Sequence, residues 1–255
     1  MKVHAGECSY SDKVTRFWPE FGKNGKEDIT IDMILNHRVA PFNLCFIGCC
    51  RQNKNFQVSK ASSRFADCNR VMAKNSVFCR IDAKHRSIGE YFRDEIRQKY
   101  GAFEVCVTLS SSLHAMRAFE QPAVNGVATA RGLALLHQKF MDGTLCSQQF
   151  FKETFDHTLG IEESKGHGFV YKRSPNGSWL IGHPAMGGQM IWMDPFKNIV
   201  VCYLTNGLKF GRRRQTRVSD KLLTRIYEIL SKHTTSSSIS SPLYREGTLS
   251  KQTNH

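Results

Sequence analysis

The stretch Gly182-His183-Pro184-Ala185-Met186-Gly187-Gly188 sets one ionisable ring among small residues, just before a run over residues 189–194 that reads as a strand. An imidazole can move a proton near neutral pH, and glycines let a ligand lie against bare backbone. His183, with the strand positions Ala185, Gly187 and Gly188, is therefore the first place to look for chemistry. The bland alternative is a partly exposed histidine packed at a strand bend. Other residue groups have the right types without the right spacing. Ser110, Ser111 and Ser112 lie near His114, but closeness along the chain is not triad geometry, and the run reads as a polar loop. Cys45, Cys49 and Cys50 cluster without the paired spacing that brings thiolates to one tetrahedral zinc. They read as buried thiols in a reducing compartment. Arg212, Arg213, Arg214 and Arg217 form the densest basic run. With no aromatic residues interleaved it offers no stacking platform for single strands, and it reads as a solvated loop before a helix. His37 and Arg38 end a short helix, where positive charge suits the dipole. None of these patterns calls for a cofactor or a metal.

The elements that must position His183 are legible on either side of it. Thr30 can cap a short helix whose apolar face begins at Met33 and Ile34. Ser87 and Glu90 form a capping box, followed by a helix with Ile88, Tyr91, Phe92 and Ile96 on one face and Gly101 at its end. A strand pattern over residues 103–109 follows. Residues 128–143 form a helix with Leu133, Leu136 and Phe140 on one side, and residues 146–155 a shorter one. Then the period changes to that of strands. Residues 168–183 are two strands joined by a Pro-Asn-Gly turn, and residues 187–207 two more around an Asp-Pro turn. The later strands are apolar at nearly every position, so the sheet is expected to be covered on both faces. A last helix brings Leu223, Ile226, Tyr227 and Leu230 together and is the natural cover for one face. The expected fold class is α+β, an antiparallel sheet covered by helices.

A chain of 255 residues with a formal charge of +14 is long enough for one large core. It has no apolar run of membrane-spanning length. The first residues carry no apolar secretory segment, so the expected location is intracellular, in the cytoplasm. The charge attracts acidic partners, and a basic binding module is one functional reading, although nucleic acid is not the favoured partner. Residues 39–83 follow no sustained period. After Lys232 the chain is polar and rich in Ser and Thr, so residues 233–255 are expected to be a disordered tail. There is no internal repeat.

The order helix, helix, antiparallel hairpin with residues 182–209, then a C-terminal helix, resembles the serine beta-lactamase-related family. That family holds class C-like beta-lactamases, penicillin-binding-protein-like esterases and their animal relatives. Residues 121–136 resemble its Asn-Gly step into a helix, and residues 87–96 the helix after its second motif. Residues 12–38 resemble the stretch after its first catalytic helix. The resemblance covers about residues 10–38 and 84–230. It implies one partial beta-lactamase/transpeptidase-like domain over residues 1–232, divergent at 39–83 and lacking its N-terminal part. It also implies serine acyl transfer. A Ser-x-x-Lys nucleophile attacks a carbonyl, a second-motif Tyr assists, and a [Lys/His]-[Ser/Thr]-Gly motif on the edge strand supports the site.

Against that pattern the chain falls short. No lysine has a serine three residues before it, and residues 39–83 contain no tyrosine. In the third motif His183 holds the cationic position, Pro184 replaces the hydroxyl residue and Ala185 the glycine, while Gly187 and Gly188 remain. The expectation is a hydrolase-like domain that is catalytically impaired, with a residual cleft for a small ester, amide or peptide-like ligand. The alternative is an active esterase with an unidentified nucleophile. Self-association is also expected, because an absent catalytic helix would leave apolar surface open.

Overall fold

Two polar side chains start the helices of the N-terminal half where the sequence places them. Thr30 Oγ1 accepts from the Met33 amide at 3.3 Å and opens α1, Ile31–Leu35. Ser87 and Glu90 close a reciprocal capping box before the helix that begins at Ile88–Tyr91. In the computed structural model, residues 1–23, 25–36, 38, 74–107, 126–156, 165–185, 187–207 and 217–234 are described. They fall into two compact units, one of residues 1–132 with 166–168, the other of 133–165 with 169–255.

In the first unit, α1 is followed by a helix over residues 74–81, α2. This lies inside the stretch that follows no sequence period. The third helix, α3, runs as Ile88–Tyr91, a π-helical segment Phe92–Arg97, and Gln98–Tyr100. The π segment is a departure from the regular 3.6-residue face expected there. Its wider hydrogen-bond ring shifts the side chains that follow, so Phe92 is buried while Ile96 is only partly covered. Gly101, at φ 67°, ends α3 in the left-handed conformation. The core joins Val14, Trp18, Phe21, Ile34 and Val77. The expected apolar face of α1 holds at Ile34 but begins at Ile31 and leaves Met33 out. Ile31 and Ile34, three apart, are buried, whereas Met33 is exposed. Strand β1, Val105–Val107, pairs antiparallel with β2, Gly126–Ala128. Nothing in the sequence pattern marks β2, because three residues are too few to display an alternation.

The same unit carries its own ion network. Asp82, with 1% of its surface exposed, receives Arg86 Nε at 3.0 Å and Lys2 Nζ at 2.7 Å. Arg86 also reaches Glu95 at 2.7 Å. Hydrogen bonds from Arg86 foremost, then from Lys2, outweigh the burial that opposes ionisation and hold the Asp82 carboxyl well below the usual carboxylate range.

The second unit is a sheet with helices on both faces. Strands β3 (Lys165–Gly166), β4 (Phe169–Arg173), β5 (Trp179–Pro184), β6 (Met190–Asp194) and β7 (Ile199–Tyr203) lie in that order. The β4/β5, β5/β6 and β6/β7 pairs are antiparallel. Helices α4 (Ala130–Met141) and α5 (Gln148–Asp156) precede the sheet, and α6 (Arg217–Thr234) follows it. Alternation along the strands sorts side chains between the faces. Tyr171, Trp179, Ile181 and Met193 pack with Met141, Phe151 and Phe155. Leu180, Met190, Trp192 and Val201 pack with Leu223 and Tyr227. The run of apolar residues thus has the expected cause, burial on both faces, and α6 is the cover expected for one of them. Helix α6 continues through Thr234, past the point where composition placed the start of the tail. Residues 235–255 lie outside the described residues.

Candidate functional site

The candidate site is built on the β5/β6 hairpin. The Ala185 amide donates to the Gln189 carbonyl at 2.8 Å and closes the hairpin around Gly187 and Gly188. Gly187 and Gly188 are buried and have φ of 87° and 88°. Side chains rarely adopt this left-handed backbone, so the glycine pair answers a turn requirement directly. Glycine here makes the chain reverse; room for a ligand is not needed to explain it.

His183, Pro184 and Ala185 are exposed. The His183 Nδ1 lies 2.7 Å from the Pro184 carbonyl. A carbonyl only accepts, so Nδ1 carries the proton in that bond. Across the hairpin His183 faces Ile191, and Pro184 faces Met190.

Because third-motif strands lie at a sheet edge, β5 is expected to do so. It instead lies between β4 and β6. Its described pairing with β4 ends at Gly182, so only residues 183 and 184 present an open edge. Ladder bonds alternate between neighbours along an antiparallel strand. With the Ala185 amide directed at β6, the Pro184 nitrogen faces the opposite, open side. Proline therefore removes the amide hydrogen at the position where a bound carbonyl could have received it.

Two features the sequence reading passed over support this hairpin. Gly182 immediately precedes the histidine. A Cβ there would overlap the Ile191 carbonyl oxygen, with the Ile191 carbonyl carbon and Trp192 Cε3 each 2.9 Å away. Glycine is required by the close approach of β6. The second feature is Asp194, at the far end of β6, read from the sequence only as part of a turn. Its carboxylate is 1% exposed. One oxygen accepts the amides of Phe196 and Lys197 at 2.9 and 3.0 Å. The other accepts the Ser178 hydroxyl at 2.7 Å and the Tyr227 hydroxyl in a short bond. Burial, and then the neighbouring Asp194, push the Tyr227 hydroxyl far above the usual phenol range. This network ties α6 to the β6–β7 turn. Being buried, it offers no hydroxyl to a substrate.

The structure brings His183, Ala185, Gly187 and Gly188 into one hairpin. Ser110, Ser111, Ser112, His114, Cys45, Cys49, Cys50, Arg212, Arg213, Arg214 and His37 lie outside the described residues. Arg38 is exposed, and Arg217 is the first residue of α6. Trp18 and Trp192 are core residues, as expected. Among the described residues there is no group of three His, Cys, Asp or Glu able to hold a metal ion. Among them, too, no helix is long and apolar enough to cross a membrane.

The fold is similar to that of solved structures of a penicillin-binding protein homolog and of esterases. A penicillin-binding protein homolog from Caulobacter crescentus is similar over 89% of this chain and 78% of its own, with a TM-score of 0.62 and 22% identity. A family VIII carboxylesterase is similar over 88% and 78%, with a TM-score of 0.61 and 19% identity. EstA from Arthrobacter nitroguajacolicus Rue61a is similar over 88% and 80%, with a TM-score of 0.58 and 17% identity. Comparison with curated protein sequences gives no match. The family model described as Beta-lactamase matches residues 80–224, more than half of the chain. The chain belongs to the beta-lactamase family. Residues 10–38, which resemble the family in sequence, lie outside that match.

Proposed function

We propose that these 255 residues form a beta-lactamase-family, serine hydrolase-like domain that binds a small ester, amide or peptide-like ligand but does not form an acyl intermediate. One observation carries this reading: no lysine in the chain has a serine three residues before it. The family's nucleophile needs that amine beside its hydroxyl to lose a proton. Two features of the hairpin support the same reading. Pro184 supplies neither a hydroxyl nor an amide donor on the open edge of β5, and Ala185 adds a methyl where the family pattern has none. A general acid or base without a reacting partner accomplishes nothing. His183 is therefore assigned to ligand contact. The ester class is supported by the likeness to the carboxylesterase.

The test is incubation of the purified chain with a fluorescent penicillin, a fluorophosphonate and a chromogenic ester, followed by intact-mass measurement. The expected result is no covalent adduct and no ester turnover above buffer. Stoichiometric labelling of a serine overturns the proposal and identifies the nucleophile. Ligand contact is tested separately by the weakening of reversible ester-analogue binding in His183→Ala.

A further inference from the structure

The turn between β4 and β5 carries an Asn-Gly step, Asn176-Gly177, at its tip. Pro175 and Asn176 fill the middle of the turn, and Gly177, at φ +85°, completes it in the left-handed conformation. Both residues of the step are exposed, and nothing lies within 4 Å of a Cβ placed on Gly177. Asparagine before glycine is chemically labile, because the following main-chain nitrogen reaches the side-chain carbonyl carbon with no Cβ in the way. In this turn both reacting groups are held. The Asn176 Nδ2 donates to Ser231 Oγ on α6 at 2.8 Å, and the Gly177 amide donates to the Ser174 carbonyl at 3.0 Å. Ser231 has one hydroxyl hydrogen, which goes to the Tyr227 carbonyl at 2.8 Å. Toward Asn176 it is therefore an acceptor only, and the latch between turn and helix needs an amide at position 176.

We propose that Asn176 is a site of spontaneous deamidation, and that its conversion to an acid releases the β4–β5 turn from α6. The Gly177 nitrogen attacks Asn176 Cγ. The N–Cγ bond forms, the Cγ–Nδ2 bond breaks, and Nδ2 leaves as ammonia with the hydrogen of the Gly177 amide. Water then opens the cyclic imide at either carbonyl carbon and leaves aspartate or isoaspartate at position 176. An ionised carboxylate only accepts, so neither product can donate to Ser231 Oγ as the amide did. Isoaspartate also lengthens the main chain of the turn by one carbon. The latch in turn restrains the reaction, because Nδ2 must leave Ser231 and the Gly177 nitrogen must leave Ser174 before the ring closes. Asn206-Gly207, after β7, is the contrast. Both of its residues are exposed, and among the described residues the Asn206 side chain has no hydrogen-bond partner. The proposal is independent of ligand contact by His183, which lies toward the other end of β5.

The test ages the full chain in mildly alkaline buffer and follows Asn176 and Asn206 in the same digests by peptide mapping, with enzymatic methylation to mark isoaspartate. Asn176 should convert more slowly than Asn206. Ser231→Ala should speed conversion at Asn176 by about two- to tenfold, the worth of one neutral hydrogen bond, and leave Asn206 unchanged. Asn206 thus serves as the clock against which a general loosening of the fold is recognised. Asn176→Asp, which is one of the two products, should raise hydrogen exchange in the last turn of α6, as should Ser231→Ala. No conversion at Asn176 in either protein overturns the proposal. So does an equal rate at Asn176 with and without the Ser231 hydroxyl, or a rise at both asparagines together. Exchange in α6 that Asn176→Asp leaves at the wild-type rate overturns it as well.

Discussion

Replacing Gly182 by alanine asks whether the hairpin is built as described. The added methyl would overlap the Ile191 carbonyl oxygen and sit 2.9 Å from the Ile191 carbonyl carbon and from Trp192 Cε3. Two of these neighbours are backbone atoms of the paired strand, so no rotamer change relieves the clash. Overpacking of this kind costs about 1–3 kcal/mol. Alanine recovers roughly 0.4–1 kcal/mol by restricting the unfolded chain. Because β5 is paired on both sides at this residue, the upper part of the range applies, and a net loss of about 2 kcal/mol is expected. With a urea slope of about 1–3 kcal/mol/M, the midpoint should fall by about 1 M. Urea unfolding followed by tryptophan fluorescence reads this directly, because Trp179 and Trp192 lie on opposite faces of the same sheet. Gly177→Ala is the internal control. Its φ is +85° with nothing within 4 Å of a Cβ, so only the left-handed backbone resists, at roughly 1 kcal/mol. If Gly182→Ala unfolds at the wild-type midpoint, or loses less than Gly177→Ala, the close approach of β6 to Gly182 is wrong.

Other perturbations read other parts of the molecule. Tyr227→Phe removes a donor to the buried Asp194 carboxylate and should cost about 1.5–3 kcal/mol in urea unfolding; no loss would mean the carboxylate does not need that hydroxyl. Asp82 has a lowered folded-state pKa, so its ion pairs contribute fully above the unfolded carboxyl value of about 3.9 and are lost as pH falls through the folded value. The stability gap between wild type and Asp82→Asn should therefore narrow on acidification from about pH 5 to 2, and a gap that stays constant would refute the assignment. Ser87→Ala deletes one half of the capping box and should cost about 1 kcal/mol, measured by thermal unfolding.

Local physics explains what the letters alone disclosed. Thr30, Ser87 and Glu90 act on amides within three residues of themselves, and the Pro-Asn-Gly turn reverses the chain within five. Such features need no distant partner, and the structure contains each of them. The long apolar strands implied cover on both faces, because alternation disappears when neither face meets water. The missing Ser-x-x-Lys, with the His183-Pro184-Ala185 replacement, was likewise readable as plain spacing. What the sequence could not decide depends on contacts between remote residues. Met33 and Ile34 are equally apolar, and only the position of Val14, Trp18 and Val77 determines that Ile34 is inside. Gly182 looks like any strand glycine until β6 lies against it. Gly187 and Gly188 read as room for a ligand, and only their φ angles disclose that the turn requires glycine as well. Asp194 and Tyr227 are 33 residues apart, and neither hints at the other, because a buried carboxylate acquires its donors only when the helix that carries one of them docks on the sheet.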